Sequence, residues 1–255
     1  MAFLQMSYFS ATLGMSVAVN VILPRSAESG KGKYKTLYLL HGLSDDHTAW
    51  MRYTAIERYA LEYGVAVVMP AVQRSWYTDT ASGAGYFTFV AEELPRICRG
   101  YFRGMSDKRE DNFIAGLSMG GYGAVKAAFK YPESFGGCAA LSGALDIADV
   151  ARKFNIREWR GIFDFGLNSA DELRDSENDL FKIVRDVPSE TPLPCVYMWC
   201  GLDDWLIECN GRFDRLLAEK GVQHLYEFSE GNHSWKWWDE HIKDALKYLF
   251  KTAKL

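Results

Sequence analysis

The chain has 255 residues, 48% of them apolar and 24% charged, the balance of an ordinary globular protein with a large core. A net charge of −4 and a pI near 5.8, with Lys and Arg scattered along the chain, leave no basic field for a phosphate backbone and argue against a nucleic-acid partner. No apolar run reaches the roughly 20 residues that span a bilayer, which argues against a membrane partner as well.

Taken in chain order, the opening "MAFLQMSYFS" has neither a basic leader nor a long apolar stretch before a cleavage site, so a cytoplasmic location is expected, provided that no leader has been removed. "SVAVNVILP" alternates apolar and polar residues and predicts an antiparallel edge strand that hairpins through the Gly- and Lys-rich "SAESGKGKYK". "YKTLYLLHG" and "YGVAVVMPA" read as buried strands, with "TAIERYALEYG" between them as a helix whose stripe is Ile56, Tyr59, Ala60 and Tyr63 and whose stop is Gly64. "FTFVAEELPRICRGYF" has helical spacing but holds Pro95, so the helix either starts late or bends there.

Further on, "NFIAG", "FGGCAALSG", "CVYMWCG" and "HLYEFSEG" repeat the short strand pattern, and "GYGAVKAAFKYPESF", "CNGRFDRLLAEKG" and "WKWWDEHIKDALKYLF" repeat the helical one. Apolar runs without alternation predict a parallel sheet covered on both faces, and regular alternation of strand and helix predicts one doubly wound α/β domain over 1–255. Residues 144–194 break that rhythm. They are more polar, with "WRGIFDFG" and "LFKIV" as their apolar pieces, and read as a cap-like insertion over the sheet. Five cysteines, an odd number with no C-x-x-C pair, read as buried free thiols and indicate neither a disulfide framework nor a metal site.

The chemistry concentrates at "DNFIAGLSMGGYG". Its glycines match neither a P-loop, which needs a following Lys-Ser/Thr, nor a dinucleotide fingerprint. Gly116, Ser118 and Gly120 form G-x-S-x-G between a strand and a helix, the turn that lifts a nucleophilic serine to the carboxyl edge of a sheet and leaves the amide of Met119 aimed at a negative oxygen. A serine hydroxyl needs a base and a group that orients the base. His233, in "SEGNHSWKWW" after the last strand, stands where the base arrives in the order Ser, Asp, His. His224 reads instead as a strand start, His241 as a solvated helix face, and His41 and His47 as flanks of an earlier loop. Asp203 and Asp204 both lie on the loop where the acid belongs, one to reach the histidine and the other to cap the next helix; spacing alone does not choose. "YLLHGLSDDHTAW" is the loop for a second oxyanion donor, the amide of Leu43.

The ordered series "HGLSDDHTAW", "SWYTDT", "AEELPRI", "FIAGLSMGGYGA", "CAALSGAL", "WCGLDDWL" and "GNHSWKWW" resembles the esterase D family, most closely its tributyrin esterase branch of small bacterial carboxylesterases. The resemblance implies an α/β-hydrolase fold and hydrolysis of short-chain acyl esters with no cofactor. It also implies Asp204 as the acid, since the family writes this loop as C-G-x-x-D before an aromatic residue, and the amides of Leu43 and Met119 as the oxyanion donors. The S-formylglutathione hydrolases of the same superfamily carry a cysteine-containing sequence where this chain has "HGLSDDHTAW", which argues against that role. Feruloyl or acetylxylan esterase activity, or acyl transfer to a sugar hydroxyl, are the alternatives. Trp76, Tyr77 and Trp205 are the candidate substrate-binding aromatics, whereas Trp50 and Trp235, beside the same motifs, read more readily as core. The implied partner is a small ester, and a homo-oligomer is compatible with the sequence.

Overall fold

The computed structural model describes residues 1–30, 32–154, 156–163 and 170–252. Among them eight strands form one sheet: β1 (Ala2–Ser10), β2 (Met15–Leu23), β3 (Thr36–Leu40), β4 (Ala66–Pro70), β5 (Asn112–Leu117), β6 (Gly137–Leu141), β7 (Cys195–Gly201) and β8 (His224–Ser229), in the order β1-β2-β4-β3-β5-β6-β7-β8. From β4 to β8 every pairing is parallel. In β3 and β4 every residue is buried, because alternate side chains enter two separate cores. Tyr38, Leu40 and Val68 point to one face, Leu37, Leu39 and Val67 to the other.

Helices α1 (Ala49–Tyr53), α2 (Ile56–Tyr63) and α10 (Trp235–Lys247) cover one face. On the other lie α3 (Tyr86–Thr88), α4 (Leu94–Tyr101), α5 (Met119–Lys130), α6 (Ile147–Lys153), α7 (Ile156–Phe163), α8 (Leu180–Asp186) and α9 (Ile207–Glu219). The stripe expected on α2 packs inward, and Gly64 ends the helix in the left-handed conformation. A π-helical turn, Phe89–Glu93, joins α3 to α4 immediately before Pro95. Pro95 has no N–H to continue the ladder, and the wider turn absorbs the mismatch.

Two expectations are corrected. β2 is not an edge strand, and among the described residues no hairpin forms through 26–35: β2 pairs with the preceding β1, through the turn at Gly14, and on its other side antiparallel with β4. Its own alternation could not reveal that partner, and β1 is an edge with Phe9 exposed. The strand at "HLYEFSEG" is likewise an edge rather than a covered strand: among the described residues β8 pairs only with β7, and it leaves Phe228 exposed.

Between β6 and β7 the chain builds α6, α7 and α8. The second half of "WRGIFDFG", 164–166, lies outside the described residues. All five cysteines are free and buried. Among the described residues no helix is long and apolar enough to cross a membrane.

Candidate active site

Ser118 occupies the turn between β5 and α5 with φ 51° and ψ −116°, a conformation that costs on the order of 1–3 kcal/mol and persists only where the surroundings hold it. They do so through close approach: a β-carbon on Gly116 would stand 2.4 Å from the Gly120 carbonyl carbon, and one on Gly120 would stand 2.5 Å from the Leu40 carbonyl oxygen. Only glycine at both positions lets α5 start directly over the ends of β5 and β3. The Ser118 amide donates to Leu141 O at 2.9 Å, which ties the turn to β6.

His233 follows β8. Its Nε2 lies 3.0 Å from Ser118 Oγ, and its Nδ1 lies 2.9 Å from Asp204 Oδ2. Asp204 is only 2% exposed on the loop after β7, and its Oδ1 accepts the amide of Leu206 at 3.0 Å. Burial alone would raise its carboxyl. The hydrogen bond and charge of His233, the Ser142 hydroxyl and the Leu206 amide outweigh burial and hold it below the ordinary aspartate value. A carboxylate that can only accept requires His233 Nδ1 to carry the proton, leaving Nε2 free to accept from Ser118.

Asp203 is exposed, and its amide donates to Gly231 O. The expected division of labour between the two aspartates does not occur. The N-cap of α9 is Leu206, without a side-chain cap bond; Asp204 holds His233 with one oxygen, while the other and its own carbonyl take the amides of Leu206 and Ile207 in the turn that leads into α9.

Met119 is the first residue of α5, so its amide precedes the first intrahelical bond, from Tyr122 N to Ser118 O. Leu43 lies in a turn closed by Asp45 N to Gly42 O, with the Gly42 amide on the Asp45 carboxylate. His41 secures this turn. Its Nδ1 donates to Gly42 O at 2.8 Å while its Nε2 accepts from Val72 N at 3.1 Å, and burial, the largest influence, lowers its pKa and favours the neutral ring. The His-Gly pair at the end of β3 is therefore a fastening for the loop as well as a strand terminator.

A cleft of about 420 Å³ opens over Ser118 and His233. Trp76 and Trp205 line it, and so do Trp235, Phe154, Trp238 and Leu43. Tyr77, expected to contact substrate, does not line it: the ring is fully buried against Gly123, and its hydroxyl donates to His41 O at 2.9 Å. Trp50 is buried outside the cleft with its Nε1 on Leu40 O. His241 is not a solvated face residue but stacks on Trp199 at 4.1 Å. His224 bridges Val222 O and Asp214.

Sequence reading missed Ser142. This residue follows β6 directly at φ 47°, fully buried, and its Oγ accepts from Trp238 Nε1 at 3.0 Å. Indole N–H only donates, so the serine keeps its own hydrogen, and its hydroxyl is among the groups that hold the Asp204 carboxyl down. The signal available was a Ser-Gly pair closing a strand, which reads equally as a turn.

The profile of the putative esterase family matches residues 10–249. The chain belongs to the putative esterase family. The esterase is 33% identical to an acetyl esterase of Caldicellulosiruptor saccharolyticus over 99% of this chain and all of that one. Among solved structures, fluorophosphonate-binding serine hydrolase F of Staphylococcus aureus superposes with a TM-score of 0.90 at 34% identity, over 98% of both chains. An S-formylglutathione hydrolase of the same organism superposes with a TM-score of 0.84 at 32% identity, over 98% of this chain and 99% of that one. The sheet and its flanking helices are the α/β-hydrolase fold, and this esterase is a carboxylic ester hydrolase.

Proposed function

We propose that the esterase hydrolyses short-chain acyl esters, acetyl to butyryl, by a Ser118-His233-Asp204 triad, as in the tributyrin esterase branch. The observation that carries this reading is the unbroken chain Ser118 Oγ, His233 Nε2 at 3.0 Å, His233 Nδ1 and Asp204 Oδ2 at 2.9 Å, opening on an aromatic cleft. His233 takes the proton of Ser118 as Oγ attacks the ester carbonyl, and the amides of Leu43 and Met119 hold the oxyanion. The alcohol leaves with the proton from His233. Water, deprotonated by His233 in turn, then releases the acid from the acyl-enzyme. Asp204 keeps the histidine in the productive tautomer throughout.

A cleft of about 420 Å³ is near the small end of ligand sites, which run from roughly 300 to 1,000 Å³, and this supports a short acyl group. The test is hydrolysis of p-nitrophenyl esters from acetate to decanoate by wild type and Ser118→Ala, beside methyl ferulate, acetylated xylo-oligosaccharide and a formyl thioester of glutathione. Activity that peaks at acetate to butyrate and disappears in the variant is the expected result. A peak on any of the other three reassigns the substrate, and Ser118-independent turnover rejects the mechanism.

A further inference from the structure

About two turns along α5 from Ser118, and one beyond Tyr122, the helix carries a lysine, Lys126, that is 1% exposed and makes no ion pair among the described residues. A buried ammonium without a carboxylate is costly unless its hydrogens are all satisfied. Here they are: Nζ donates to Asn178 Oδ1 at 2.7 Å, to Thr78 Oγ1 at 3.0 Å and to Tyr77 O at 3.3 Å, and it lies 4.6 Å from the centre of the Phe87 ring.

The acceptors come from two segments far apart in the chain, the loop after β4 and the stretch between β6 and β7. Thr78 passes the constraint back along its own loop by donating to Trp76 O at 3.0 Å. Trp76 and Tyr77 have φ of 54° and 47°, two consecutive aromatic residues in the left-handed region, a strained backbone that must be held from outside. Asn178 belongs to the stretch between β6 and β7 and is held by α5 at both ends, its side chain by Lys126 and its carbonyl by the Tyr122 hydroxyl at 2.8 Å. Trp76 is the residue of this loop that lines the cleft, and it packs at 4.5 Å on Trp159 of the same stretch.

We propose that Lys126 is a positioning residue for acyl-chain specificity: by holding Thr78 and Asn178 together it fixes Trp76 as the wall that limits the acyl group. The proposal rests on the reading of the cleft as an acyl-ester site. It carries a pH dependence. Burial, and then the neighbouring Lys130, lower the Lys126 pKa to about 7, against the opposing charges of Glu177 and Asp79, which with Lys130 are the charged groups facing it. A neutral amine has two hydrogens for three acceptors, so the clamp is complete below that pH and loosens above it.

The experiment measures the ratio of kcat/KM for p-nitrophenyl hexanoate to that for the acetate. Any ionisation that acts on both esters alike cancels in the ratio. In wild type the ratio rises with pH through about 7; in Lys126→Met it is raised at every pH and flat, by about tenfold, the scale on which one methylene is discriminated in an apolar pocket. Thr78→Val, which keeps shape and removes the acceptor, moves the ratio in the same direction and keeps the test decisive if Lys126→Met fails to fold. An NMR readout is independent of turnover: the Trp76 indole N–H signal, assigned by its loss in Trp76→Phe, shifts through about pH 7 in wild type. If wild type hydrolyses no ester but that signal titrates, the substrate reading fails and the positioning role stands. A wild-type ratio independent of pH, with Thr78→Val unchanged from wild type, overturns the proposal.

Discussion

Replacing Asp204 by Asn changes one oxygen for an NH2 group, and the surroundings decide which one. The Leu206 amide, 3.0 Å from Oδ1, needs an acceptor, so the amide oxygen of the new side chain takes that place. The NH2 group is then forced into the Oδ2 position, 2.9 Å from His233 Nδ1. A donor there requires Nδ1 to accept, which moves the imidazole proton to Nε2, facing Ser118 Oγ at 3.0 Å. In that tautomer His233 cannot take the serine proton. Loss of the correct tautomer in a Ser-His-Asp enzyme costs about 10⁴-fold in kcat, or about 5.4 kcal/mol of transition-state stabilisation, and the same scale is expected here. Asp203→Asn, altering an exposed side chain, should stay within about threefold, since surface changes are usually worth under 0.5 kcal/mol. The assay is kcat and kcat/KM on p-nitrophenyl acetate, with thermal melts to show that both variants fold. An Asp204→Asn enzyme within tenfold of wild type, or a larger loss in Asp203→Asn, refutes the tautomer argument.

Ser118→Ala should lower kcat by at least about 10³-fold, and Ser118→Gly should do the same while raising stability by about 1 kcal/mol, because glycine adopts φ 51° without strain; denaturant melts check the second part. Gly120→Ala places a methyl carbon 2.5 Å from the Leu40 carbonyl oxygen, so soluble, folded protein should be lost or its stability reduced by several kcal/mol, which expression yield and melting temperature report. Asp204 has a folded pKa below its unfolded one. The stability it contributes is therefore present above the unfolded value of about 3.9 and lost as pH falls through the folded value. Acid melts of Asp204→Asn should accordingly decline less steeply below about pH 4 than those of wild type. Ser142→Ala removes one of the hydrogen bonds that hold this carboxyl down and should shrink the same acid-dependent component while lowering kcat. An unchanged acid profile in both variants would show that Asp204 is not held ionised by these contacts.

Much of this esterase follows from local chemistry. Short, mostly apolar runs without alternation that end in turn residues read as strands buried on both faces, which yields the parallel sheet, and a serine between glycines at a strand-to-helix junction marks the turn on which Ser118 stands. The position of His233 after the last strand follows from chain order, and resemblance to esterase D separated Asp204 from Asp203 where spacing could not. What stayed hidden depends on partners distant in the chain. An alternating strand shows which face is buried but not which neighbour it pairs with, so β2 was assigned the wrong hairpin and β1 none. Tyr77 sits next to Trp76 in sequence, yet the reversed backbone of this pair sends one ring to the cleft and the other behind Gly123. Lys126 lies in no motif, and Ser142 lies in one, "CAALSGAL", that does not tell its role. Their meaning comes from Trp238, Asp204, Thr78 and Asn178, side chains brought to them by the packing of helices on the sheet, and hydrogen-bond direction and burial acquire a value only once those distances exist.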